Sequence, residues 1–331
     1  MFTPSFLNGV EYLKISVLGC GRWAAFLAWY TESLGNQVMV WGRETSKRYQ
    51  RLQDTRKNDF LMLPKQVSLS HSLDETISFG EIVIISISSQ SLRSLGKQLH
   101  ALGNIENKTF VLCMKGLEIG TGERLSRILL EELGAGIKVA VWVGPGHVQD
   151  FIKGIPNCMV IGSDDIAVTR QIVDEFSSNL IRFYYGTDLL GIEIGAAAKN
   201  VVGIAAGMLD GLQYTSLKGA LMARGTKELS NLIEAMGGDP MTVYGLSHLG
   251  DYEATLFSLH SNNRRFGEDF VRGEVSDTLA EGVYTVEALM DLARIYKIEL
   301  PICQAVYNII KGSQDIKGEL LSLFLRPVKA E

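Results

Sequence analysis

Residues 14–30 read KISVLGCGRWAAFLAWY. A short β-branched run, Lys14 to Leu18, meets Gly19 and Gly21 and passes at once into a helical pattern. The spacing Gly19-x-Gly21-x-x-Ala24 places each small residue where a strand-to-helix phosphate turn needs one. The first glycine makes the tight turn, the second lets backbone approach a pyrophosphate, and the third position must be small for helix and strand to pack. The following helix would offer unpaired N–H groups to phosphate oxygens. The turn reads either as a dinucleotide site or as a ligand-free connection, and the rest of the chain has to decide.

Outward from this turn, short apolar runs alternate with helical stretches. NQVMVWGRE, GEIVIISIS, KTFVLCMKG, IKVAVWVGPG, PNCMVIGS and IRFYYGTD read as strands. SLRSLGKQLHALG, GERLSRILLEELG and DIAVTRQIVDEFSS read as helices between them. Continuously apolar strands alternating with helices predict an α/β fold with a largely parallel sheet covered on both faces. From Asp188 the β-rich runs cease and helical periodicity takes over, as in LKGALMARGTKELSNLIEAMG. The expected organisation is an N-terminal extension over 1–13, a nucleotide-binding domain over 14–187, and an all-helical domain over 188–331.

Composition fits an ordinary globular chain: 331 residues, 46% hydrophobic, 21% charged and a net charge of −5. The scattered Lys and Arg residues argue against a nucleic-acid partner. The N-terminus lacks the charge and apolar core of a signal peptide. The four cysteines, Cys20, Cys113, Cys158 and Cys303, form no C-x-x-C pair, which suits a reducing cytoplasm. GIEIGAAAKNVVGIAAGMLDGL, residues 191–212, could be mistaken for a membrane span, but Glu193, Lys199 and Asn200 fall inside it. A buried helix is the better reading, with no integral membrane segment. The histidines show no metal-ligand spacing, and no metal is expected.

Several stretches carry chemical groups. The second strand ends Trp41-Gly42-Arg43, where an acidic residue would select a ribose 2′-hydroxyl; Arg43 suits a 2′-phosphate instead, which tilts NADP or NAD toward NADP. Lys115 lies at a strand's carboxyl end, where open α/β sheets bind ligands, although such a lysine can equally face solvent. Gly144-Pro145-Gly146 is either a ligand-approach loop or an ordinary turn. Lys199 sits mid-helix among Gly195, Ala196, Val202 and Gly203, small residues that leave space for something to approach. An apolar setting lowers a lysine's pKa into the range useful for proton transfer, unless the side chain snorkels to the surface. Asp251 could orient a lysine. Ser261, Asn262, Asn263, Arg264 and Arg265 follow in a loop-like region, as phosphate or hydroxyl donors or as a solvated polar loop.

Together these stretches resemble the bacterial-type NAD(P)-dependent glycerol-3-phosphate dehydrogenase family, from about Lys14 to Lys311. VLGCGRWA, NDFLMLP, MKGLEIGTGE, GPGHVQDFIKGIP, GIEIGAAAKNVVGIAAGMLDGL, ALMARGTKEL, GLSHLGDYEAT, SNNRRFGE and EGVYTV occur in the family's order. The resemblance implies a Rossmann-type domain, a helical domain and an active site between them. It implies reversible reduction of dihydroxyacetone phosphate to sn-glycerol 3-phosphate, a small-molecule phosphate substrate, for phospholipid synthesis. A homodimer is implied as well. By motif, Gly19, Gly21, Arg22, Trp23, Arg43 and Glu281 would meet the cofactor, and Lys115 both cofactor and substrate. Lys199 would be the proton acceptor for the glycerol hydroxyl, and in reduction the donor to the alkoxide, with Lys115 and Asp251 beside it. Gly144, Gly146, Ser261, Asn262, Asn263 and Arg264 would face substrate.

This chain departs from the family's usual pattern at identifiable points. Asn262 stands where an arginine is usual, and Arg264 or Arg265 is the expected compensation. Gly146 replaces a hydroxyl residue and His147 a phenylalanine. Ser88 or Ser89 replaces a common proline, Leu256 and Phe257 depart from the usual Thr-Cys-Thr, and Arg22 replaces a common serine. Two readings compete with the leading one: a divergent member acting on another keto or hydroxy substrate, and a non-catalytic NAD(P)-binding regulator. Retention of Lys115, Lys199 and Asp251 argues against the second.

Overall fold

The computed structural model describes residues 12–275 and 280–325. Residues 1–11 of the proposed extension, and the chain past 325, lie outside the described residues.

Eight strands form one sheet: β1 (Lys14–Leu18), β2 (Gln37–Trp41), β3 (Ser68–Ser70), β4 (Ile82–Ile85), β5 (Thr109–Leu112), β6 (Lys138–Val143), β7 (Asn157–Gly162) and β8 (Ile181–Gly186). Their order is β3-β2-β1-β4-β5-β6-β7-β8. β4 and β5 are buried at every position, because helices cover both faces of the sheet, and such strands read as unbroken apolar runs. At the sheet edge, β8 alternates, leaving Tyr184 and Tyr185 exposed. The order reverses between β1 and β4, which opens a crevice at their carboxyl ends.

All pairings are parallel except β6 with β7. The connection between those two carries only the short helix Val148–Ile152 and returns the chain antiparallel. Strand direction is a property of the connection, so the pattern of PNCMVIGS carries no trace of it.

Past β8 the chain is helical. The central helix, Leu189–Gly211, is long and apolar enough to cross a membrane, yet 94% of its apolar window is buried by the protein itself. A helix apolar all round is a core helix, and each buried Ile or Leu on it contributes roughly 1.5–3 kcal/mol. Its closest neighbour is the helix Asn262–Arg272. They meet along a seam of glycines. A Cβ on Gly207 would lie 1.8 Å from the Arg264 carbonyl oxygen, and one on Gly267 would lie 2.1 Å from that of Ile204. The two backbones touch, and no side chain larger than hydrogen fits between them.

The two halves are also tied by Glu193 of the central helix. Its carboxylate accepts from the Ser126 N–H (2.9 Å), the Ser126 hydroxyl (2.6 Å) and Arg124 Nη1 (2.7 Å). Burial raises its pKa, with Arg124 opposing. The helix Leu125–Leu133, which has no side-chain cap of its own, thus borrows one from the other half.

Candidate active site

At the carboxyl end of β1 the backbone of Gly19 turns with φ +131°, a conformation that favours glycine. A Cβ there would strike the Ser86 carbonyl oxygen at 2.2 Å. The first helix, Arg22–Ser33, begins at Gly21 with no side-chain cap, so its first-turn N–H groups are left for an anion. This cradle fits a dinucleotide pyrophosphate. Arg43 is exposed beyond β2. Arg48 lies closer to the turn, its Nη1 3.9 Å from where a Gly21 Cβ would sit. It was not anticipated. The available signal was Ser46, which caps the helix Lys47–Thr55 and sets the face that Arg48 occupies.

Across the crevice, Lys199 and Lys115 converge on one carboxylate. Lys115 Nζ donates to Asp251 Oδ2 at 2.6 Å and to the Gly144 carbonyl at 3.0 Å. Lys199 Nζ pairs with the same Asp251 oxygen and donates to Thr255 Oγ1 at 2.8 Å. Thr255 in turn donates to the Asp251 carbonyl at 2.7 Å, one helical turn back. Asp251 is 1% exposed and Lys199 5%, so the lysine does not snorkel. Burial lowers the Lys199 pKa to about 7; Asp251 opposes the shift and the Lys115 ammonium adds to it.

The small residues around Lys199 serve packing. A Cβ on Gly195 would lie 3.1 Å from His248 Cβ, and one on Gly203 would lie 2.8 Å from Thr255 Cγ2. The expected space is filled by the segment that carries Asp251 and Thr255. Behind it, His248 bonds the Gly195 carbonyl (2.8 Å) and the Tyr252 hydroxyl (2.6 Å), and burial holds its imidazole down at about 4.

The loop-like reading of 248–268 is corrected. Leu249–Asp251 is a 3₁₀ turn, Glu253–Phe257 a π-helical turn, and Asn262–Arg272 a helix capped by the Ser261 hydroxyl. Of the two expected compensations for Asn262, Arg264 turns inward, Nη1 pairing with Asp210 and Glu268, both at 2.8 Å, while Arg265 is exposed. Asn263 Oδ1 accepts from the Gly282 N–H at 3.0 Å, and Ser89 donates to Glu281, the latter at the start of the helix Glu281–Tyr296. The Ser89 hydroxyl therefore fixes Glu281.

One cleft of about 330 Å³ joins these groups. Arg22, Trp23, Lys115, Gly144, Gly146, Lys199, Asp251, Ser261, Asn262, Asn263 and Glu281 line it. Thr255, Asn200, His147 and His260 line it too, whereas Arg43 and Arg264 do not. Gly19 and Gly21 are not among its lining residues; they form the turn that leads into Arg22 and Trp23.

The comparisons with known proteins agree with this geometry. Family models described as the NAD-dependent glycerol-3-phosphate dehydrogenase N-terminus and C-terminus match residues 14–169 and 188–320. A Chlorobium limicola protein named glycerol-3-phosphate dehydrogenase [NAD(P)+] is 34% identical, covering 96% of this chain and 99% of that one. A Fusobacterium nucleatum protein of the same name is 33% identical, covering 96% and 98%. A crystal structure titled glycerol-3-phosphate dehydrogenase from Coxiella burnetii superimposes with a TM-score of 0.89 at 25% identity, covering 95% of this chain and 99% of that one. With both halves matched and a lysine pair meeting a carboxylate opposite a phosphate turn, this chain belongs to the NAD-dependent glycerol-3-phosphate dehydrogenase family.

Proposed function

We propose that this protein reversibly reduces dihydroxyacetone phosphate to sn-glycerol 3-phosphate, with a nicotinamide dinucleotide, when bound, supplying the hydride. The observation that carries this reading is the buried Lys199–Asp251 pair, joined by half-buried Lys115, in one cleft with Arg22 and Trp23 of the glycine turn. As the substrate carbonyl is reduced, its oxygen becomes an alkoxide and takes a proton from Lys199 Nζ. In the reverse direction neutral Lys199 accepts the hydroxyl proton. A pKa near 7 lets one amine do both at neutral pH. The Lys115 ammonium, fixed by Gly144 and Asp251, stabilises the developing oxyanion. Thr255 and Asp251 hold Lys199 in one orientation. Glu281, fixed by Ser89, faces the dinucleotide.

Residues 14–187 serve as the nucleotide-binding unit and 188–331 as the substrate unit. Arg43 past the end of β2, with Arg48 beside the Gly21 turn, supports a preference for NADP over NAD. Neither a different keto substrate nor a non-catalytic role is favoured, since the relatives carry the dehydrogenase name. The product suits phospholipid synthesis. A homodimer and a cytoplasmic location complete the proposal, to be checked by analytical ultracentrifugation and cell fractionation.

The deciding test is oxidation of NADPH or NADH by the purified protein with dihydroxyacetone phosphate, read at 340 nm. Turnover is expected. Tight dinucleotide binding with no turnover would overturn the reading.

A further inference from the structure

Four of the positions where this chain departs from its family's usual pattern meet at one place. Arg22, Gly146, His147 and Asn262 all line the cleft. One cation is absent from the helical half, at Asn262, and one is gained in the nucleotide-binding half, at Arg22.

Arg22 is half-buried, with its guanidinium over the Phe60 ring at 5.3 Å. No carboxylate among the described residues pairs with it. Burial lowers its pKa, and Arg265 adds to the shift. His147 faces His260 across the cleft, ring centroids 5.7 Å apart and T-shaped. Burial, then His260, with Arg22 adding, holds His147 below its ordinary value, while Asp150 and Asp251 oppose. His147 Nε2 is buried with no hydrogen-bond partner among the described residues. Buried polar atoms and buried charges are ordinarily satisfied, and an orphan is costly. Here an unpaired guanidinium and two imidazole rings line one cleft, and an anion seated there would satisfy the guanidinium.

A guanidinium fork matches phosphate oxygens, and an imidazole adds a single donor. Arg22 and His147 come from the nucleotide-binding half, and His260 and Asn262 from the helical half, so the anion would bridge the two. A dinucleotide pyrophosphate already has the backbone cradle at Gly19–Gly21. The side-chain group lies in the same cleft as Lys199, as the far end of a short substrate requires.

We propose that Arg22, with His147 and His260, forms the subsite for the substrate's phosphate, a clamp closed from both halves of the chain. It rests on the reading that the cleft takes a phosphorylated ketone. It also assigns the substrate-side cation to a residue of the glycine turn rather than to Arg264, which is spent on Asp210 and Glu268.

The test is Arg22→Ser in the full chain. The KM for dihydroxyacetone phosphate should rise about tenfold or more, as loss of a charge-assisted contact requires, and by more than the KM for the dinucleotide. The penalty should be at least about fivefold smaller with unphosphorylated dihydroxyacetone, and Arg22→Lys should recover part of the loss. A rise in the dinucleotide KM alone would overturn the proposal. A second measurement separates the clamp from the reaction. Inorganic phosphate, titrated into the wild type, should shift the imidazole NMR signals of His147 and His260, assigned with His147→Phe and His260→Gln; Arg22→Ser should abolish the shifts. Phosphate-dependent shifts without turnover would sink the reaction and keep the clamp. Turnover without those shifts would sink the clamp and keep the reaction.

Discussion

The two ends of the cleft are built on opposite electrostatic plans. At the Lys199 end, two lysines and one carboxylate satisfy one another, with Thr255 and the Gly144 carbonyl taking further hydrogen bonds. At the Arg22 end, a guanidinium and two imidazoles gather with no carboxylate paired to Arg22 among the described residues. The contrast teaches where each end gets its partner. A group that moves a proton must hold its geometry before substrate arrives, so it is internally paired. A group that binds an anion is left for the ligand to complete.

Removing the proton donor should break the comparison most severely. Lys199→Ala is expected to lower kcat by about 10²–10⁴-fold, the range for general acid–base catalysis, with dinucleotide binding retained. Steady-state kinetics beside a fluorescence titration of NADPH checks this. Turnover unchanged by the substitution would remove Lys199 from the mechanism.

The next effect is in pH. Reduction needs protonated Lys199, so kcat/KM should be flat below pH 7 and fall about tenfold per unit above it. Oxidation needs the neutral amine and should show the mirror profile. Asp251 is the charge that holds Lys199 up, so Asp251→Asn should move both breaks to lower pH. A break that stays in place would mean that another group titrates.

Gly146→Ser would restore the family's hydroxyl at the open end. A Cβ there would lie 2.4 Å from Phe151 Cε2, and that ring is stacked on Phe26 at 5.0 Å and buried. Overpacking of this kind costs about 1–3 kcal/mol, readable as a lower midpoint in urea. A neutral result would show that Phe151 yields. The smallest effect belongs to exposed Arg43: Arg43→Ala should reduce any preference for NADPH over NADH by a few-fold. An unchanged ratio would shift the role to Arg48.

Much of the nucleotide-binding half was legible because its signals are local. β1, the glycine turn and the first helix are read from a single stretch, and unbroken apolar strands announce a sheet covered on both faces. The three-residue β3 and the helices Lys47–Thr55 and Leu73–Phe79 are too short or too polar to announce themselves. In the cleft, Lys199 stood out as a charge in an apolar window, and Asp251 as an acid able to orient it. Thr255 was legible only as a residue four places beyond Asp251, a spacing that matters once the segment is known to coil. Arg264 misled because sequence shows a charge but not the buried acids, Asp210 and Glu268, that claim it. The glycines near Lys199 suggest room for a ligand in the sequence, and in the fold they are room for neighbouring side chains.

The glycine seam between the central helix and Asn262–Arg272 has a mechanical consequence. Side chains interposed between helices act as bearings: they change rotamer and let one cylinder slide past another. Where Gly207 and Gly267 bring main chain against main chain, there is no bearing to turn. The helical half then behaves as a rigid jaw, carrying Asn262 and Lys199 at a constant offset. The hold of Glu193 on Ser126 and Arg124 carries that constraint from the central helix into the nucleotide-binding half.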